Sequence, residues 1–128
     1  MEKALIEISA DGLNDKIKMG SLGFQMLLKA IAYSYDYDFG KEYAKLINAK
    51  EAKLDLQNKC NEDLNIILFN KNIYEGLKYL ECQKLIMQLD KIIFNVPDNY
   101  NPILAERFIE LKNIIRYCAK NKKRLIIN

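Results

Sequence analysis

The chain has no histidine, and only two prolines, five glycines and three cysteines in 128 residues. Each shortage excludes something. Without His, a nucleophilic cysteine has no imidazole partner, and the helical Glu-x-x-His ligand set of di-metal bundles cannot be built. So few Gly and Pro leave little material for the many tight turns of a sandwich or barrel. Cys60, Cys82 and Cys118 are odd in number and far apart in sequence, a poor disulfide framework and not a metal-binding spacing. They are expected as small buried core residues. No glycine-rich loop of the phosphate-cradling kind is present.

Long apolar runs are missing too. The longest uncharged stretch, Met19 to Leu28, is ten residues. A helix of that length cannot cross a hydrocarbon layer about 30 Å thick. After Met1-Glu2-Lys3, only three apolar residues precede Glu7, too few for a signal-peptide core. The expectation is a cytoplasmic protein with no membrane partner.

What is present is ordinary for a globular chain: 50% hydrophobic residues and 29% charged. The length fits a single domain, 1–128, which should bury roughly 65–70% of its unfolded surface without metal or disulfide staples. Lys far outnumbers Arg, and Ile and Asn are frequent. Those residues have AT-rich codons, which points to a bacterial or phage origin.

Helical periodicity runs through most of the sequence. Ser21 is placed to cap a helix whose face carries Phe24, Leu27, Leu28, Ile31 and Tyr35. Asp36 or Asp38 can cap a second, with Tyr43, Leu46 and Ile47. Asn48 with Glu51, and Asn72 with Glu75, have the spacing of a capping box. Ala52, Leu56, Cys60, Leu64 and Leu68 recur every fourth residue, as one long helix or two broken near Asn58–Asn61. The helix expected behind Asn72 carries Ile73, Leu77, Leu80, Leu85, Leu89, Ile92 and Ile93. Asn101-Pro102 opens the last one, a cap followed by Pro at the first helical position, with Phe108, Leu111, Ile115 and Cys118 on its apolar face. Ala4–Ser9 reads equally as a short strand or as helix, and Leu125–Ile127 as a helix end or a short strand. The resulting expectation is an all-α bundle of five or six helices, possible strand-like ends aside.

Five features of the sequence are candidate sites. Tyr33, Tyr35 and Tyr37 lie two residues apart with Asp36 and Asp38 among them. On a helix, positions two apart point about 200° apart, so these rings cannot all face one core. An exposed tyrosine beside acids is a protein-binding surface suited to a basic partner, such as a nuclease toxin. The competing reading is a helix corner with capping acids and half-packed rings. Arg116, Lys120, Lys122, Lys123 and Arg124 place five cations after residue 115, while the rest of the chain is net −2. That segment is either a phosphate-binding, nucleic-acid-associating patch or charge that complements a helix C-terminus. Gly20-Ser21-Leu22-Gly23 before a helix can accept an anion, but it lacks the lysine and further glycines of a phosphate loop. The carboxylate pairs Glu62-Asp63, Glu106 with Glu110, and Asp36 with Asp38 can bind Mg²⁺ or act as acid and base, or simply be solvated. The Leu and Ile stripes are core.

The sum is a non-enzymatic protein-binding domain without cofactor or metal, of the toxin-immunity or phage-defence inhibitor type, that blocks a partner by occlusion. The expected contact residues are Tyr33, Tyr35, Asp36, Tyr37 and Asp38. The alternatives are a nucleic-acid-associated protein using the basic end, or a self-associating helical subunit.

Overall fold

The computed structural model describes residues 5–46 and 50–128. Two strands open the chain, β1 (Leu5–Ala10) and β2 (Ile17–Gly20), and a third closes it, β3 (Leu125–Ile127). β1 is the middle strand, antiparallel to both neighbours, with Ile8 opposite Ile17 on one side and Ile127 on the other. The protein is therefore mostly helical but mixed α/β, and the all-α expectation is corrected. The physical reason lies in β1. Ile6, Ile8 and Ala10 alternate onto a buried face, which Ile17, Leu125 and Ile127 complete. Glu7 points to the other face, opposite Lys18, within 3.5 Å of Lys16 Nζ and 3.9 Å of Lys18 Nζ.

Six helices lie between β2 and β3 among the described residues: α1 (Ser21–Tyr35), α2 (Tyr37–Ala44), α3 (Lys50–Lys59), α4 (Asn65–Leu68), α5 (Tyr79–Leu89) and α6 (Ile103–Asn121). α1 and α6 pack against the sheet, α2 against α1, and α5 against α6. Ile6 and Ile8 from β1, Leu27 and Ile31 from α1, Leu85 and Leu89 from α5, and Leu111 and Ile115 from α6 belong to one buried cluster. Burying a side chain of this kind contributes ~1.5–3 kcal/mol, so these stripes hold the helices on the sheet. Among the described residues no helix is long and apolar enough to cross a membrane.

Local signals set several boundaries. Asp36 caps α2, its carboxylate accepting from the Phe39 N–H at 2.9 Å. Asn101 accepts from the Ile103 N–H at 3.0 Å just ahead of α6, but Pro102 takes the cap position there and Ile103 is the first helical residue. The stretch of fourfold spacing breaks after Lys59 into α3 and α4. Ser21 is the first residue of α1 rather than its cap, and no side chain caps that end. Asn48, the first member of the capping pair with Glu51, lies outside the described residues, as do Ile47 and Met1–Ala4.

The helix expected from Asn72 starts later. Ile73–Glu75 forms a single 3-10 turn, and Leu77 is extended, exchanging both backbone hydrogen bonds with Leu125 at 3.0 and 2.9 Å. Gly76 makes this possible. Its φ is +82°, and a Cβ there would collide with the Leu125 carbonyl oxygen. Only after this crossing does α5 begin, with Glu81 accepting from the Lys78 N–H at 2.9 Å.

Candidate functional site

The α1–α2 corner separates the tyrosines as their spacing predicts. Tyr33 is buried, Tyr35 half-buried and Tyr37 exposed at 40%. Gly40 sets how close the two helices come, since a Cβ there would overlap the Tyr33 backbone. Tyr35 turns inward and meets Phe39 edge-on at 5.4 Å. Its hydroxyl accepts from the Asn61 N–H at 3.2 Å, tying α1 to the chain after α3. Tyr35 is thus a packing residue.

Tyr33 and Tyr37 form the other half. Their rings meet edge-to-face at 5.1 Å, and Tyr100 meets Tyr33 the same way at 5.5 Å. Tyr100 arrives from the loop before α6, which Ser34 fastens through hydrogen bonds with the Asn95 N–H at 2.9 Å and its carbonyl at 3.3 Å. Burial, with Tyr33 and Tyr37 alongside, pushes the Tyr100 phenol above its ordinary range. It is a neutral donor at physiological pH. The Lys41 ammonium sits 5.5 Å from the Tyr37 ring centre, a cation–π contact. Asp36 and Asp38 flank Tyr37 and are exposed. Asp36 is already engaged as the α2 cap.

Of the five residues expected here, the structure places Tyr33, Asp36, Tyr37 and Asp38 at one corner and turns Tyr35 away from it. Sequence reasoning missed Tyr100 and Lys41. Lys41 was legible as the residue one helical turn after Tyr37. Tyr100 carried no signal, because a loop distant in sequence delivers it.

The basic segment is partly occupied. The Arg116 guanidinium pairs with Asp90 and also reaches the Asn113 side chain at 3.2 Å. Arg124 donates to the Glu75 carbonyl at 2.7 Å. Lys122 is left-handed, with φ 53°, where it terminates α6, and the Lys123 N–H returns to the Cys118 carbonyl at 3.0 Å. Lys120, Lys122 and Lys123 are exposed.

Among the carboxylate pairs, Glu110 is held by Arg107 at 3.2 Å while Glu106 is exposed. Among the described residues no group of three or more Cys, Asp or Glu is placed to hold a metal ion. Cys82 and Cys118 are fully buried on α5 and α6. A hydrogen bond to Cys118, together with burial, pushes the Cys82 thiol up. Cys60 is half-buried, and burial pushes its thiol up to about 11, so it is protonated at neutral pH.

Comparison with known protein families, with curated proteins and with solved structures finds no match.

Proposed function

We propose that this protein is a binding domain of the inhibitor or immunity type, and that it blocks a basic partner protein by covering it with the α1–α2 corner. One observation carries the reading: Tyr37 is exposed, yet fixed by Tyr33 and Lys41 and flanked by two exposed acids. A tyrosine with few rotatable bonds that is already held in place loses little freedom on binding, so its contact area converts efficiently into affinity. The acids favour a cationic partner and speed its approach. A nuclease toxin, which must itself be basic to hold nucleic acid, has the matching chemistry.

The test uses Tyr37→Ala with Asp38→Ala and spares Asp36, whose loss would uncap α2. The double variant keeps the wild-type circular dichroism spectrum and loses about 100-fold in partner affinity, or ~2.7 kcal/mol, in the range of an interface hot spot. Unchanged affinity in a calorimetric titration removes this corner from the interface.

A further inference from the structure

A hollow of about 470 Å³ lies elsewhere, between α1, the end of α2, α3 and the chain after α4. That size is in the range of clefts that take a small organic molecule. Leu28, Leu46 and Phe69 form apolar parts of its wall. Lys29, Lys53 and Lys71 approach it from three different elements, and among the described residues neither Asp nor Glu lines it. The ion pairs seen among the described residues leave these three ammonium groups out. Lysine suits such a rim, because its aliphatic stem extends the apolar wall while the charge stays at the mouth. The remaining side of the hollow is anchored: Tyr43 donates to the Leu68 carbonyl at 2.9 Å, fixing the end of α2 to the end of α4.

The geometry points to a binding site for a small anionic amphiphile, a medium-chain carboxylate whose apolar body lies on Leu28, Leu46 and Phe69 and whose charged end meets Lys29, Lys53 and Lys71. Charge complementarity selects an anionic end, and the apolar wall selects a chain over a bare inorganic anion.

The probes are decanoate, its neutral counterpart decanol, and inorganic phosphate, each titrated into the full-length protein by amide NMR and calorimetry. Decanoate is expected to bind saturably, shifting amides near Leu28, Leu46 and Phe69. The K29Q/K53Q/K71Q variant, with an unchanged melting temperature, is expected to bind it about tenfold or more weakly, the loss of a charge-assisted contact. Decanol binding as tight as decanoate, phosphate binding as strong, an unaffected triple variant, or shifts that map elsewhere each overturn the assignment. The Y37A/D38A variant should bind decanoate normally, so failure of the corner and failure of the hollow are distinguishable.

Discussion

Tyr35 and Tyr37 stand two residues apart and serve opposite ends, one packed inward and the other projecting from a fixed base. That divergence follows from helical geometry and was legible in the sequence, as was the choice of an aspartate to cap α2. Two neighbouring features were not. Gly40 gives no outward sign that α1 and α2 touch there, since its lack of a side chain matters only against Tyr33. Gly40→Ala is therefore expected to destabilise the fold by ~1–3 kcal/mol, the range for forcing a methyl into a packed contact. Lys122 adopts the left-handed conformation normally taken by glycine after a helix, so the usual sequence marker is absent. Lys122→Gly is expected to stabilise by ~0.5–1 kcal/mol once the greater freedom of glycine in the unfolded chain is set against the relieved strain. Urea unfolding of the two variants checks both signs.

At the scale of elements, periodicity located α1 and α6 because each shows a sustained apolar face, whereas α2 was marked by its Asp36 cap and ends at Ala44, before the Leu46 expected on its face. It could not decide β1 or β3, whose runs of six and three residues are too short for a period of two to be told from a helical turn. What decides them is pairing: Ile8 needs Ile17 and Ile127 beside it, and those partners are remote in sequence. β2 was hidden for a related reason, being four residues that run directly into the uncharged start of α1. α5 begins later than the Asn72–Glu75 spacing predicts because those residues close only a backbone turn with no side-chain cap, and the Leu77–Leu125 crossing that follows is a tertiary contact. A consequence follows for Leu125, fully buried in β3. Leu125→Ala is expected to cost ~2–5 kcal/mol, as truncation of a buried leucine does. A change below about 0.5 kcal/mol in urea unfolding, the usual scatter of surface substitutions, would show the strand frayed from the sheet.

For the whole molecule, two half-buried acidic groups, the Cys60 thiol and the Tyr43 phenol, link stability to alkaline pH. Burial raises the Cys60 thiol from an ordinary 9.0 to about 11, and burial followed by the nearness of Cys60 raises the Tyr43 phenol from its ordinary 10.0. Both groups hold their protons more tightly in the folded state. Their contribution is complete below pH 9 and is lost as pH rises toward and beyond 11. The melting temperature is thus expected to fall over that window, and Cys60→Ala to soften the early part of the fall. The candidate corner itself was only partly readable, because Tyr37 is held by Tyr33 and Lys41, and Tyr33 in turn packs on Tyr100 from a loop distant in sequence that Ser34 holds.

On the proposed reading, a basic protein docks on Tyr37 and its flanking acids. The most direct measurement captures partners from the native host at low and high salt, with wild type and the Y37A/D38A variant in parallel, and then titrates the captured protein against both by calorimetry. The account predicts one stoichiometric basic protein on the wild type, bound about 100-fold more weakly by the variant. Equal affinity for the two, or recovery of salt-released nucleic acid in place of a protein, would contradict it.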